Sequence, residues 1–184
     1  MPKVSQAHLD ARKAEILEGA RRAFAEHGYE GATVARLEEA TGLSRGAIFH
    51  YFKSKLDLFV ELAISDNLRY KDVMVEEGLE ALLRAIAAAD PVWLRVLIET
   101  EVKLLHDPRF QERIVSTPEQ RDRVIGVFER AQAEGRMRDD VAAEDLARFM
   151  TMAINGLALR LAAGETTNVD ALVTLMSDAV RPRD

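Results

Sequence analysis

Apolar residues recur along this chain at intervals of three and four, the spacing of one face of an α-helix, and almost nowhere alternate as in a strand. Ile16, Leu17, Ala20, Ala23 and Phe24 share such a face and Gly28 follows as a stop, so a first helix is predicted from Leu9 to His27. Thr33 is an N-cap candidate. Val34, Leu37 and Ala40 behind it mark one side of a short helix ending at Gly42. Ser44 repeats that signal, with Ala47, Ile48, Tyr51 and Phe52 at helical spacing; Ser54 and Asp57 form a variant of the capping box that opens a longer fourth helix.

Beyond that helix the period does not change. "LEALLRAIAA" lies between Gly78 and the "ADP" at 89–91, "VWLRVLIETEVKLLHDP" closes before Pro108, and Pro118 suits the first turn of a helix running through Val124, Val127, Phe128 and Ala131 to Gly135. After the polar connection "RMRDDVAAED", Leu146, Phe149, Met150, Ala153, Ile154, Leu157 and Leu161 form a broad apolar face, and a last helix is predicted from Val169 to Val180. There is no internal repeat and no low-complexity segment. The expected fold is all-α with about nine helices: a helix-turn-helix domain over residues 1–54 and a larger helical domain over 55–184.

Composition narrows what such a protein does. With 184 residues, 48% of them hydrophobic and 30% charged, the chain reads as a water-soluble globular protein able to bury a core. No apolar run approaches the roughly 20 residues of a membrane helix, and the N-terminus lacks a signal-peptide core, so a cytoplasmic location without membrane attachment is expected. The absence of cysteine removes disulfides, thiolate nucleophiles and the usual structural zinc cages.

Charge is unevenly placed. The net charge is −6, yet residues 1–55 hold nine Lys/Arg against seven Asp/Glu, while residues 56–184 hold sixteen against twenty-four. Within "TGLSRGAIFHYFKSKLDLF", residues 41–59, Arg45, Lys53 and Lys55 stand among Phe49, Tyr51 and Phe52 with no acid before Asp57. Two short helices about a turn containing Gly42 form a helix-turn-helix, whose second helix enters the major groove of DNA. A carboxylate on that face would be repelled by phosphate, whereas Arg and Lys displace condensed counterions. Gly46 inside the second helix costs roughly 0.8–1 kcal/mol against alanine. Close approach to DNA and tight packing on a neighbouring helix both account for it.

These residues carry a family resemblance. Through "ILEGARRAFAEHGYEGATV" and "GLSRGAIFHYFKSKLDLF", residues 12–59 resemble the DNA-binding domain of the TetR family of transcriptional regulators, and the wording is further similar to the aconitase-repressor group of actinobacteria. The resemblance implies that Thr33 and Lys55 clamp phosphates at the two edges of the motif, that Arg45 and Gly46 meet base edges or adjacent backbone, and that His50 and Tyr51 contact phosphate or base. Phe49 stands where tyrosine is common, which leaves ring contact with a thymine methyl. Leu56 replaces a frequent Glu. With the N-cap Ser44, these residues make up the expected DNA-binding set. Ile48 and Phe52 read as core, Arg36 as either a phosphate contact or a solvated charge, and Arg21 and Arg22 as surface charge.

The expected partners are a double-stranded, pseudo-palindromic operator, a second copy of the chain, and a small-molecule effector that releases the DNA. One recognition helix reads few base pairs, so a two-fold dimer is expected, through helix 146–161 and helix 169–180. Trp93, Glu99, Lys103 and His106 are effector-binding candidates, the last three at i, i+4 and i+7, where a solvated charged face is the plainer account. Asn155 and Arg160 interrupt an apolar helix, either as pocket groups or as interface hydrogen-bonding residues. The aconitase-repressor resemblance implies a citrate-like anion with a divalent metal, though no ligand residues can be assigned and no cofactor is implied. An enzyme is disfavoured: His8, His27, His50 and His106 are scattered, and no nucleophile has a base at motif spacing. A helical protein-interaction module would leave the acid-free stretch and Gly46 unexplained.

Overall fold

The computed structural model describes residues 6–104, 106–108, 110 and 118–183. Among them are nine α-helices and no strand: α1 (Gln6–Gly31), α2 (Val34–Thr41), α3 (Arg45–Tyr51), α4 (Lys55–Glu76), α5 (Leu79–Ala87), α6 (Pro91–Leu104), α7 (Pro118–Ala133), α8 (Ala143–Ala162) and α9 (Val169–Val180). The all-α expectation holds. Leu105, inside the sixth predicted helix, lies outside the described residues.

The ends of the first helices follow from local chemistry. Gly28 adopts φ 69° and ψ 171°, outside the helical region, so α1 breaks there before a last turn. Gly42 is left-handed at φ 69° and donates its N–H to the Glu38 carbonyl at 2.9 Å, closing α2. At the start of α4 the Ser54 hydroxyl accepts from the Asp57 N–H at 3.1 Å, and the Asp57 carboxylate accepts from the Lys53 N–H at 2.9 Å. That is the reciprocal capping expected from the sequence, reaching one residue further back than the usual box.

Cα packing divides the chain into two compact units, Met1–Asp66 with Val96–Ile114, and Asn67–Arg95 with Val115–Asp184. In the first, Ile16, Ala20, Phe24, Leu37, Ile48, Leu58 and Phe59 are fully buried. The rings of Phe24, Tyr29 and Phe59 meet with centroids 5.3–5.8 Å apart. In the second, Leu82, Leu83 and Ile86 of α5 pack with Phe128 of α7, Leu146, Met150 and Leu157 of α8, and Met176 and Val180 of α9. The polar connection after α7 is held by Gln132, whose side-chain amide donates to the carbonyls of Arg138 and Val141, both at 2.8 Å.

Glycine also sets how closely α1 and α2 approach. A Cβ at Gly19 would lie 2.6 Å from the Thr41 methyl and 2.9 Å from both the Ala40 oxygen and the Thr41 Cα. Only hydrogen fits there. Arg22 fastens the same place by donating to the Ala40 carbonyl at 2.9 Å.

Candidate nucleic-acid interface

The helix-turn-helix is capped at both helix starts. Thr33 accepts from the Arg36 N–H at 3.5 Å and Ser44 from the Ala47 N–H at 3.4 Å, each in extended backbone just before its helix. Leu37 and Ile48 point inward with no exposure, and Phe52 is 4% exposed, which fixes the orientation of α3. Thr33, Ser44, Arg45, Gly46 and His50 are consequently exposed, with Phe49 and Tyr51 half-buried. His50 and Tyr51 meet edge to face, centroids 5.1 Å apart.

Gly46 separates the two accounts that sequence left open. A Cβ built on it meets nothing within 4 Å. Packing on a neighbouring helix of this chain therefore does not require glycine, in direct contrast to Gly19.

Lys55 is more constrained than a free phosphate clamp. Its ammonium donates to the carbonyls of Tyr29 at 2.8 Å and Glu30 at 3.3 Å, and lies 4.6 Å from the centre of the Tyr29 ring. The break at Gly28 leaves those carbonyls outside the helical ladder, and a cation there is favourably placed. An ammonium has three donors, so one remains for a phosphate oxygen. Arg36 likewise donates to the Gly31 carbonyl at 2.8 Å.

Arg21 is not the surface charge its sequence context suggests. It forms a two-pronged pair with Asp66, at 2.9 and 2.8 Å, and the carboxylate side chain is only 8% exposed. Asp66 continues the inward positions Leu58, Leu62 and Ala63 of α4, so helical spacing places it on the buried face. Glu38 is more than a member of the solvated charged face around Arg36: its carboxylate accepts the backbone N–H of Arg45, seven residues on. Such a contact across a turn has no local signature.

The effector candidates differ in exposure. Trp93 is buried, whereas Glu99, Lys103, His106 and Asn155 are exposed. The carboxylate with an altered environment on α6 is instead Glu101, whose pKa is raised by burial. The native state thus holds this proton more tightly than the unfolded chain, and stability falls as pH rises through the interval. Glu101→Gln is expected to raise Tm at neutral pH and to change nothing below about pH 3, where both states are protonated. Thermal unfolding at the two pH values checks this; equal gains at both would remove the titration from the explanation.

In the second unit a surface cleft of about 420 Å³ is lined by Arg138, Asp178, Ala179, Arg181, Pro182 and Arg183. Its arginines are engaged: Arg138 and Arg183 with Asp140, and Arg181 with Asp178. No group of three or more His, Asp or Glu able to hold a metal occurs among the described residues. Nor is any helix among them long and apolar enough to cross a membrane.

Residues 16–62 match the family described as bacterial regulatory proteins, tetR family. The chain is 44% identical over 189 residues to the HTH-type transcriptional repressor AcnR of Corynebacterium diphtheriae, an alignment covering 98% of this chain and 97% of that protein. Among solved structures, Salmonella enterica GusR superposes with a TM-score of 0.71 at 23% identity, covering 97% of this chain and 99% of that one. FadR from Bacillus subtilis, in complex with stearoyl-CoA, superposes with a TM-score of 0.63 at 16% identity, covering 90% and 95%. The two structures establish a shared fold. With the capped helix-turn-helix and 44% identity to AcnR along almost the whole of both chains, the chain belongs to the TetR family of bacterial regulatory proteins, in its aconitase-repressor-like group, and is a DNA-binding transcriptional regulator.

Proposed function

We propose that the protein represses transcription as a homodimer, each copy laying α3 in the major groove of one half of a pseudo-palindromic operator. Residues 1–54 serve as the DNA-binding domain and 55–184 as the effector-binding and dimerisation domain. The observation that carries this reading is the outward face of α3: Ser44, Arg45, Gly46 and His50 are exposed, Ile48 anchors the opposite side, and space lies open at Gly46. Thr33 and Lys55 flank that face as phosphate contacts, with Phe49 and Tyr51 beside the groove.

Support for the dimer comes from α8 and α9. Phe149 is 43%, Met152 62% and Leu159 53% exposed, at i, i+3 and i+10 on one side of α8, and Leu175 of α9 is 65% exposed. Large apolar side chains so placed are a common mark of an interface. Asn155 stands on the exposed side of the same helix, which favours an interface hydrogen bond over a pocket role. Trp93 remains an effector candidate alongside Glu99, Lys103 and His106, and Glu101 joins them as a perturbed carboxylate.

The effector we put forward is a di- or tricarboxylate of the citrate kind, on the strength of the aconitase-repressor resemblance; FadR shows that the fold also accommodates an acyl-CoA. A ligand thermal-shift series led by such anions, with operator release as the second readout, tests it. Anions that neither raise Tm nor release DNA would exclude the class.

Binding of selected duplexes over a range of salt tests the interface. Lys55→Ala is expected to weaken all sequences alike and to lower the salt slope by about one. It should also cost stability, because the Tyr29 and Glu30 carbonyls lose their donor. Arg45→Ala should cost about 1–3 kcal/mol at one operator position if its guanidinium reads a base. An unaltered salt slope would take Lys55 out of phosphate contact, and unaltered sequence preference would take Arg45 out of base readout.

A further inference from the structure

The residues from 41 to 56 contain no carboxylate, yet one is delivered to the head of α3 from the preceding helix. Glu38 Oε1 accepts the Arg45 N–H, and Ser44 Oγ accepts the Ala47 N–H. Two of the backbone donors that a helix leaves open at its start are thus already satisfied, one of them by an anion. A phosphate oxygen arriving there would meet negative charge.

The other carboxylate oxygen is differently placed. Glu38 Oε2 has no hydrogen-bond partner among the described residues, and Glu38 is half-buried beside the exposed Ser44, Arg45 and Gly46. Helix-turn-helix proteins set the first residues of the recognition helix against base edges. An ionised carboxylate only accepts hydrogen bonds. In the major groove cytosine N4 and adenine N6 offer amino donors, while guanine O6 and N7 and thymine O4 offer acceptors.

We propose that Glu38 is a specificity-determining residue. One oxygen seats the recognition helix; the other accepts from the exocyclic amino group of a cytosine or adenine at one position in each half-site and rejects guanine and thymine there. Arg45 has the opposite preference, since a guanidinium donates to guanine O6 and N7. A donor and an acceptor thereby sit side by side at the head of α3, reading neighbouring bases of opposite pattern. The repulsive half of this arrangement matters as much as the attractive half, because discrimination is a difference of affinities.

The inference rests on the DNA-interface reading of α3 and is tested with the full chain. Operators are selected from a random duplex pool, then affinities are measured for every single-position variant with wild type, Glu38→Gln and Glu38→Ala. Wild type is expected to favour amino-bearing bases by about 5- to 150-fold at one symmetric pair of positions. Glu38→Ala should reduce that preference to under about threefold at those positions alone, within the cost range of a lost base contact. Glu38→Gln keeps an acceptor for Arg45 and adds a donor, so it should fold as wild type and admit guanine. Unchanged preferences in Glu38→Gln would overturn the proposal, leaving Glu38 as a helix cap. Equal loss at every position in both variants would also overturn it, because that is the signature of a displaced helix. Wild type showing neither sequence preference nor salt dependence is a separate result, which defeats the interface reading itself.

Discussion

Alanine at position 46 is expected to give a more stable protein that binds its operator less well. Gly46 is helical and its Cβ position is empty, so Gly46→Ala lowers the entropy of the unfolded chain without a clash, for a gain of about 0.4–1 kcal/mol. The methyl then occupies the space in which DNA backbone or a base edge approaches. Overpacking of a close contact costs about 1–3 kcal/mol, so operator affinity should fall by roughly 5- to 150-fold. Thermal unfolding and an operator titration at one fixed salt concentration read the two effects separately. Gly19→Ala supplies the opposite control: its Cβ meets the Ala40 and Thr41 backbone, and stability should fall. Unchanged operator affinity in Gly46→Ala would mean that DNA does not approach this part of α3.

Arg21→Ala is the second large effect. It removes the two-pronged partner of a carboxylate that is nearly buried on α4. Breaking a buried pair costs about 3–5 kcal/mol; with the arginine side chain 28% exposed, the lower end of that range is expected. For a chain of this size a loss of about 3 kcal/mol lowers Tm by roughly 6–12 °C. Arg21→Lys keeps the charge but cannot match both carboxylate oxygens, and should fall between the two. Urea unfolding of the three proteins checks the order. Equal stability of Arg21→Ala and wild type would show that the pair contributes only as an exposed one does.

Much of this was legible in the chain because the signals are local. The caps Thr33, Ser44 and Ser54 are each a hydroxyl ahead of an apolar period, and the bounds expected for the last helix, Val169 to Val180, are those observed. Gly28 and Gly42 mark the helix ends expected of them, since both need a positive φ. What escaped was long-range. Arg21 finds Asp66 across 45 residues, Lys55 reaches back to Tyr29 and Glu30, and Gly19 is required only because the end of α2 lies against it. Helical spacing put Glu99, Lys103 and His106 on one face and offered a pocket or, more plainly, a solvated charged face; all three are exposed. Asp66 was recoverable, being the polar member of an otherwise apolar inward row. Glu38 was not, because nothing in the sequence tells a glutamate to close over the start of the next helix.

The open apolar side of α8 bears on gene dosage. If Phe149, Met152 and Leu159 are covered only by another copy, wherever free chains are mostly single the concentration of the DNA-competent form rises with the square of the amount of protein. Halving expression then leaves a quarter of that form, and control by such a protein responds to its own synthesis more steeply than a single-chain binder can.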